Sequence, residues 1–312
     1  MIHLGWGREG MRSPVRAQAA GGRGLARAGA WVNLPALAAV VIWSGVYPFS
    51  KYALGEFPLL SYVALRPLIA STMLFGFLAV RRQPLRVERA DRPRLLLAAL
   101  AGMVTFQLFF IIGLEFTSAS HSALLNASSP LLGAAVLLLA GRYRPDRRSA
   151  LGLVAGFAGV AILLSGADAA GAALSGDLLT LVSALGWVVV STVPRPLVAR
   201  YGPALVAGWM IVCAAVVTLP LGLSTLGELI ASPPSLLAWG ALIYSSVLGM
   251  FMANVLWQRA VHHLGSTQTM AYLYLQPFLA LLLSAALLGE RLTPTQALGG
   301  LIALAGVGLV RR

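Results

Sequence analysis

The most regular feature of the sequence is a succession of long apolar stretches, each separated from the next by a short polar or basic connection. A helix that crosses the hydrocarbon layer of a membrane needs about 20 mostly apolar residues. Ten stretches approach this length: 32–54, 59–80, 93–114, 119–140, 149–166, 176–197, 203–223, 235–257, 267–288 and 294–311. Their apolar residues run continuously, whereas the strands of a membrane barrel alternate apolar and polar residues and span in about ten residues. The pattern therefore predicts an all-α integral membrane protein with ten transmembrane helices.

The composition agrees with this fold class. Apolar residues make up 58% of the 312 residues and charged residues only 11%, against about 45–50% and about 25% in soluble domains. A soluble fold could not cover so much apolar surface with so few charges. The single cysteine, Cys213, excludes an intramolecular disulfide and a cysteine-rich metal site. The sequence indicates neither a metal nor a cofactor.

The basic residues indicate how the chain is oriented in the membrane. Most of the 23 Lys and Arg residues fall in the N-terminal segment, in the connections after the second, fourth, sixth and eighth stretches, and at the C-terminus. The other connections receive only Lys51 and Arg291. Basic residues collect on the cytoplasmic side of a membrane, so both termini are predicted to be cytoplasmic. The same rule accounts for the net charge of +13 without a nucleic-acid partner.

Residues 1–30 precede the first stretch and form an Arg-rich segment that we expect to be a disordered cytoplasmic tail. The segment lacks the short apolar region and the cleavage site of a signal peptide, and the apolar run that starts at Trp31 is too long to be one. An organellar transit peptide is the alternative interpretation. Met1 and Met11 are both candidate start residues.

The chain contains an internal repeat. When the sequence is shifted by 147 residues, SASHSALLNASSPLLGAAVLLL from Ser118 aligns with GSTQTMAYLYLQPFLALLLSAA from Gly265. In this alignment Pro130 meets Pro277. Self-similarity over a long, fixed period indicates that the chain is built from repeated structural units.

The repeat also predicts how the two halves lie in the membrane. A shift of 144 places Trp43 on Trp187, so the first repeat covers 31–166 and the second 176–312, with five helices each. Because five is odd, the second repeat enters the membrane from the opposite side. Two inverted five-helix repeats are typical of transporters that work by alternating access.

Four stretches carry a resemblance to a known family: IWSGVYPFSKYAL (42–54), ALRPLIAS (64–71), TSASHSALLNASSPLL (117–132) and YLQPFLALLLSAALLGERLTPTQALGGLIALAGV (274–307). In their order, and together with the repeat, they resemble the drug/metabolite transporter (DMT) superfamily, EamA type. The resemblance covers nearly everything after residue 30. It implies a bacterial or archaeal inner-membrane carrier, often a metabolite or amino-acid exporter, and coupling to protons.

The first repeat departs from the pattern at its last turn. It reads AGRYRPDRRS (140–149), with Tyr143 at the position of Glu290 in the second repeat. The departure argues against a gating role for an acid shared by both halves. In the second repeat, Thr293 followed by Pro294 predicts the start of the last helix.

Arg66 is the charge that lies deepest in an apolar stretch. It is about eight residues into the second stretch, which corresponds to about 12 Å of helix. An arginine at the centre of a bilayer costs about 2.5–3.5 kcal/mol on insertion scales. We therefore expect it either to face a cavity, where it would attract a carboxylate or phosphate of a solute, or to extend to the outer interface, helped by Pro67. Lys51 is correspondingly either a gate or solute contact or an interface anchor.

Aromatic and amide residues inside the stretches are further candidates for a cavity: Trp43, Tyr47, Gln107, Asn126, Trp187, Asn254, Tyr272 and Gln276. The alternative is that the tryptophans lie in the interfacial belt and that the amides bond neighbouring helices. Pro130 and Pro277 interrupt their helices at matching places, and such interruptions point to a binding site. His121 is either a proton-coupled switch or a hydrogen-bonded interface residue.

The absence of acids from the middle of every stretch bears on the solute. Glu115 and Glu290 lie at the ends of stretches, whereas Arg66 lies within one, so an anionic or zwitterionic solute is favoured over a cation. No ATP-binding P-loop is present. We therefore predict a secondary transporter, not an enzyme, that exports an amino-acid-like metabolite across the inner membrane. A nucleotide-sugar or drug carrier of the same fold is the alternative, and a receptor, a scaffold or an intramembrane enzyme is the alternative from another class.

Small residues at helical spacing indicate where helices approach closely. Gly152 and Gly156 form a GxxxG pattern in the fifth stretch, and Gly299 and Ala303 form its counterpart in the tenth. These stretches are predicted to be scaffold, with a homodimer through the same face as a further option.

Overall fold

The computed structural model describes residues 33–139, 141, 145–165, 174–264, 272–291 and 293–310. The predicted tail 1–30, the choice between Met1 and Met11, Tyr143 and the end of the first predicted repeat at residue 166 lie outside the described residues. Within them the chain forms helices of the α, 3-10 and π types and no strands. The predicted all-helical fold class is confirmed.

The described residues of the first half form seven α-helices. They are α1 (Leu34–Leu54), α2 (Leu59–Val80), α3 (Arg92–Leu97), α4 (Thr105–Phe116), α5 (Ala119–Asn126), α6 (Ser129–Leu139) and α7 (Arg147–Ser165). A 3-10 turn at Arg89–Asp91 precedes α3, and a π-helical segment at Ala98–Val104 joins α3 to α4.

The described residues of the second half form eight α-helices. They are α8 (Leu174–Thr192), α9 (Arg195–Tyr201), α10 (Pro203–Ser224), α11 (Leu226–Ala231), α12 (Leu236–Ile243), α13 (Ala253–Leu264), α14 (Gln276–Leu288) and α15 (Pro294–Val310). A π-helical segment at Tyr244–Met252 joins α12 to α13, and a 3-10 turn at Leu273–Leu275 precedes α14.

In the part of the chain that the structure describes, seven helical segments are long and apolar enough to cross a membrane: Leu34–Leu54, Leu59–Val80, Arg89–Phe116, Ala119–Leu139, Leu174–Thr192, Pro203–Ser224 and Leu236–Trp257. Two shorter apolar helices, Gln276–Leu288 and Pro294–Leu309, overlap the ninth and tenth predicted stretches. The predicted fifth stretch overlaps α7. The arrangement of ten spans in two inverted repeats stays a prediction.

The contacts between helices show the same pattern in the two predicted repeats. The second stretch packs on the seventh (α2 on α10) and the fifth on the tenth (α7 on α15). The first packs on the eighth (α1 on α12, the π segment and α13), as the third packs on the sixth (α4 and its π segment on α8). The first also packs on the ninth (α1 on α14), as the sixth packs on the fourth (α8 on α5 and α6). Each of these contacts is matched by the contact between the equivalent stretches of the other half, as expected for two equivalent halves.

The two π-helical segments occupy corresponding places, in the third and the eighth predicted stretches. A π turn opens the regular hydrogen-bond ladder by one residue and occurs often at functional sites. Hydropathy does not reveal this change, because it leaves the apolar length of the stretch unaltered. Pro130 and Pro277 also correspond: each is the second residue of its helix, in α6 and α14.

The connection between α14 and α15 has a local explanation in its sequence. Gly289 ends α14 in the left-handed conformation, with φ of 68°, which glycine adopts without steric cost. Thr293 and Gln296 then form a reciprocal capping box, because the backbone N of Thr293 donates to Gln296 Oε1 at 3.1 Å and the backbone N of Gln296 donates to Thr293 Oγ1 at 3.2 Å. The predicted start of the last helix at Pro294 is confirmed.

Small residues bring α7 and α15 into backbone contact. A Cβ atom on Gly159 would lie 2.4 Å from the backbone N of Ala303, and one on Gly306 would lie 2.5 Å from the Cα atom of Gly156. The small residues predicted to form scaffold are therefore used within the chain. The homodimer stays a prediction, and the glycines named here already serve a contact within the chain.

Candidate functional site

Arg66 is buried in the middle of the bundle. It is the eighth residue of α2, and only 4% of its surface is exposed. The helix can hold Arg66 this deep in the bundle because its other residues are almost all apolar. The guanidinium group turns towards polar side chains of neighbouring helices, so the interpretation as an interface anchor does not describe its position.

A network of polar side chains surrounds the guanidinium group of Arg66. Nε donates to Ser245 Oγ at 2.6 Å, and Nη1 donates to Gln107 Oε1. Ser245 Oγ shares a hydrogen bond of 3.0 Å with Ser50 Oγ, and the Tyr62 hydroxyl donates to Ser50 Oγ at 3.0 Å. The network joins α1, α2, α4 and the second π segment, and all five residues are buried.

The network leaves the charge of Arg66 without a counterion. A guanidinium group has five N–H donors, and two of them are used by Ser245 and Gln107. The other three have no acceptor among the described residues, and the ion pairs found there do not include Arg66. A buried charge is costly unless it is paired. The arrangement therefore suits an anionic group that arrives from outside the protein.

Aromatic rings form one wall beside Arg66. The guanidinium carbon lies 5.4 Å from the ring centre of Phe110, within the range of cation–π attraction. Tyr47 meets Phe110 edge to face at 5.3 Å, while Phe106 stacks on Phe110 at 5.8 Å and contacts Trp187 at 4.9 Å. The structure thus brings together the predicted residues Arg66, Gln107, Tyr47 and, at the edge, Trp187.

Trp43 lies elsewhere, where it joins α1 to the second π segment. Its Nε1 donates to the carbonyl of Gly249 at 2.9 Å, and its ring contacts Trp257 at 5.3 Å. Gly249 has no room for a side chain, because a Cβ atom would lie 2.5 Å from Val46 Cγ2. The role of Trp43 in these contacts is to hold two helices together.

The remaining predicted amides have local partners. Asn126 Nδ2 donates to the carbonyl of Ser122 at 3.1 Å, and Asn254 Nδ2 donates to that of Met250 at 2.7 Å. Each bond therefore stays within its own helical run. The backbone carbonyl of Gln276 accepts from Ser44 Oγ at 3.1 Å. Tyr272 is partly buried.

A cavity of about 300 Å³ lies between α2, α10, the second π segment and α13. Its lining is mostly apolar and includes Leu74, Phe77, Ala207, Met250 and Asn254. Leu74 follows Arg66 by eight residues on α2, which corresponds to about 12 Å along the helix. Arg66 is not among the lining residues, so the cavity and the polar network are neighbouring but separate features.

Two charged residues stabilise helix ends in neighbouring elements. Lys51 Nζ donates to the carbonyls of Leu114 and Glu115 at 2.8 and 2.7 Å, where α4 ends. The carboxylate of Glu290 accepts from the backbone N of Ala119 at 2.8 Å and of Ser120 at 2.9 Å, where α5 begins. A cation at a helix C-terminus and an anion at an N-terminus both complement the helix dipole.

His121 and Asp177 form a buried pair that the sequence did not lead us to expect. His121 Nδ1 lies 3.1 Å from Asp177 Oδ1, and both side chains are fully buried. Thr117 Oγ1 donates to the same carboxylate oxygen at 2.6 Å. Asp177 escaped notice because it lies at the start of its stretch, not in the middle. The preceding Gly176 was the available signal: a Cβ atom there would lie 2.7 Å from the backbone C atom of Phe116, so α8 approaches α4 closely and covers the acid.

Polar contacts join separate elements at each end of the bundle. At the end where α2 finishes, Arg200 Nη2 lies 2.6 Å from Glu88 Oε1 and Nη1 lies 2.8 Å from Asp91 Oδ2, which also accepts from the Tyr201 hydroxyl at 2.6 Å. The Glu88 carboxylate raises the pKa of Arg200. We call these four residues the basic-end clasp.

The other end of the bundle carries a smaller contact. The carboxylate of Glu56 accepts from the backbone N of Ser235 at 2.6 Å, from Ser235 Oγ at 2.9 Å and from the Tyr52 hydroxyl at 3.0 Å. The hydrogen bonds from Ser235 lower the pKa of the Glu56 carboxyl. We call these three residues the opposite-end clasp. Adding 144, the shift of the repeat, to positions 56 and 91 gives 200 and 235, so the two clasps occupy equivalent places in the two halves.

Comparisons with known proteins agree with one another. The model of the family described as "EamA-like transporter family" matches residues 30–165 and again residues 174–312. A "Probable terminal-alkyne amino-acid exporter" of Streptantibioticus cattleyicolor is 30% identical over 88% of this chain and 91% of that protein.

Two further relatives cover similar lengths. An "Uncharacterized transporter" of Archaeoglobus fulgidus is 26% identical over 86% of this chain and 93% of that protein. An "Uncharacterized inner membrane transporter YicL" of Salmonella typhimurium is 26% identical over 89% of this chain and 94% of that protein.

Proposed function

The chain belongs to the EamA-like transporter family, and on that premise we propose that it exports a small amino-acid-like metabolite with a carboxylate group by alternating access. The family and the relatives are transporters, not enzymes. The chain is a multi-pass membrane protein. The relative in Salmonella typhimurium is named as an inner membrane transporter, which supports the inner membrane as the location.

The observation that carries the proposal is the unpaired charge of Arg66. Three guanidinium donors face no acceptor among the described residues, and a carboxylate can accept two of them side by side. A phosphate offers similar geometry, but the rings of Phe110 and Tyr47 supply apolar surface beside the guanidinium group, which suits a small organic solute better. The name of the Streptantibioticus cattleyicolor relative supports an amino acid.

Alternating access is supported by features that appear twice. The family model matches each half separately, and the helix neighbours, the π segments and the clasps correspond between halves. In an inverted repeat, equivalent positions lie at opposite ends of the membrane. One clasp would then open the inward path and the other the outward path, while Arg66 stays between them.

Transport is tested directly in proteoliposomes. The purified protein is expected to release a mixture of radiolabelled proteinogenic amino acids from loaded vesicles faster than vesicles without protein. Untargeted metabolite profiling of cells that lack or overproduce the protein extends the set of solutes. If none of the solutes so found moves in vesicles, a receptor or scaffold becomes the better proposal.

The orientation proposed from the basic residues places the basic-end clasp in the cytoplasm. Gln83 and Ser232 are exposed at opposite ends of the bundle. In a background with Cys213→Ser, we expect an impermeant maleimide applied to intact cells to label S232C and not Q83C. Labelling of Q83C alone would reverse the proposed orientation.

The clasps are expected to control access from opposite sides. Arg200→Gln removes two exposed ion pairs, which stabilise the closed end only weakly, so the bundle should open more often at the basic end. The measurement is the rate at which a thiol reagent labels Ala207→Cys in the cavity, which should rise severalfold. Glu56→Gln should lower the labelling rate of Ala207→Cys, because it weakens the opposite-end clasp and so favours opening at that end over opening at the basic end.

Arg195→Gln is the matched control for the clasps. Arg195 also lies on α9, but its Nε donates to the carbonyl of Ser191 in the preceding turn, so it makes no clasp. An equal effect of Arg195→Gln and Arg200→Gln would mean that only the surface charge matters. Because exposed pairs are screened by salt, the effect of Arg200→Gln should shrink at high ionic strength.

A further inference from the structure

The buried pair of His121 and Asp177 takes no part in the proposed solute site. The two side chains come from different helices, α5 and α8, and both are fully buried. Thr117 binds Oδ1 of Asp177, while Oδ2 has no hydrogen-bond partner among the described residues. A half-satisfied carboxylate is an expensive group to keep in a protein interior.

The pair has no net charge only when it carries one proton more than a neutral histidine beside an ionised aspartate. With that proton it is an imidazolium beside a carboxylate, or two neutral groups. Without it, a single negative charge remains in an apolar interior. Because both side chains are fully buried, exchange of that proton requires a movement that admits water. A site that keeps its proton when closed and exchanges it when open is what proton-coupled transport needs.

The charged groups around the pair are fixed at helix ends. On the neighbouring elements they are Lys51 of α1, Glu115 at the end of α4 and Glu290 in the turn before α15. Lys51 and Glu290 bind backbone groups of α4 and α5. Within α5, α6, α8 and α14 no other titratable side chain occurs besides the pair itself. The charges of α7, Arg147 and Arg148, lie in its first turn.

The pair is connected to the solute network through α4. Gln107 of this helix binds Arg66, and Thr117, at the residue where the helix ends, binds Asp177. The ten residues between them correspond to about 15 Å of helix. A change in the packing of α8 against α4 would thus reach both sites.

We infer that His121 and Asp177 bind the proton whose entry drives solute export, an inference that rests on the proposed function. The pair lies at the start of α5 and of α8, at the same end as Glu56 and Glu290. In the proposed orientation this end faces outward, so an incoming proton reaches the pair before it reaches the solute site. One proton enters as one solute molecule leaves, and no bond other than those to the proton is made or broken.

The first test needs no solute. In detergent, the labelling rate of Ala207→Cys in the Cys213→Ser background is measured across pH 5–9 and divided by the rate of the exposed Ser232→Cys, which corrects for ionisation of the thiol. The parent is expected to change its labelling rate at least threefold across this range. His121→Gln and Asp177→Asn should each abolish the change while retaining a cooperative melting transition.

Thr117→Val separates proton binding from a structural role. It keeps both titratable groups and removes one donor to the carboxylate, so the midpoint of the response should move while the response itself persists. This variant also serves if one of the others fails to fold. An unchanged response in Asp177→Asn and His121→Gln, a parent with no response, or an unchanged midpoint in Thr117→Val would overturn the inference.

A second measurement distinguishes this inference from the proposed function. Proteoliposomes that contain the protein are assayed with the radiolabelled amino acid mixture in two modes, exchange without a gradient and accumulation driven by a pH gradient. We expect Asp177→Asn to retain exchange and to lose accumulation by at least tenfold. Loss of both modes in equal measure would contradict the coupling role, whereas a pH response in the parent without flux of any solute would contradict the proposed function and leave only proton binding by the pair.

Discussion

Replacing Arg66 by glutamine is expected to reduce transport of a carboxylate-bearing solute by at least a hundredfold while leaving the protein folded. Charged hydrogen bonds contribute about 1.5–3 kcal/mol each. Loss of two of them to the solute would amount to about 3–6 kcal/mol, which corresponds to roughly 10²–10⁴ in affinity. Arg66→Lys should fall between parent and Arg66→Gln, because an ammonium group keeps the charge but lacks the planar fork that binds a carboxylate twice.

Stability provides the matching control for Arg66. The guanidinium group is buried without a counterion among the described residues, so its removal relieves a desolvation penalty. We therefore expect the melting temperature of Arg66→Gln in detergent to equal or exceed that of the parent. Loss of transport together with unchanged stability identifies a residue that is kept for function.

The measurement is efflux from proteoliposomes, with Arg195→Gln as a second arginine that has only a local partner. Transport by Arg66→Gln at the rate of the parent would exclude this residue as the solute site. A melting temperature that falls sharply in Arg66→Gln would instead assign the network a structural role.

Arg66 could be found from the sequence because a charged residue inside an apolar run is recognisable without knowledge of the fold. Its partners were not visible in the same way. Ser50 and Ser245 are small polar residues of a kind that occurs throughout membrane helices, and only the packing of α1 against the second π segment places both beside one guanidinium group. Tyr47 and Gln107 were found because large polar side chains are scarce in such stretches.

Two other predicted cavity residues bond within their own helices instead, and the sequence could not reveal this. Asn126 and Asn254 bond carbonyls one turn earlier in their own helices, and no sequence pattern tells such a bond from one across a cavity. The second stretch, 59–80, coincides with α2, whereas the sixth, 176–197, extends five residues beyond α8, which ends at Thr192. The π segments inside the third and eighth stretches could not be predicted, since they depend on hydrogen-bond register and not on hydrophobic length.

The contact between α7 and α15 leads to the second large effect that we expect. Gly306→Ala would place a Cβ atom 2.5 Å from the backbone of Gly156, which cannot rotate away. Overpacking of this kind costs about 1–3 kcal/mol, so the melting temperature in detergent should fall by several degrees. Gly306→Leu, which adds a larger side chain at the same point, should prevent accumulation of the folded protein in the membrane.

Gly308 supplies a control in the same helix. No atom lies within 4 Å of the position that its Cβ would occupy, yet the change from glycine to alanine alters helix propensity equally, by about 0.5–1 kcal/mol in favour of the helix. Gly308→Ala should therefore match or exceed the stability of the parent. The residues of α7 and α15 contribute to neither the network around Arg66 nor the clasps, so a partly stabilised Gly306→Ala sample is expected to transport normally per folded molecule. Equal melting temperatures for the two variants would contradict the close packing of α7 on α15 and would return this face to consideration as a homodimer surface.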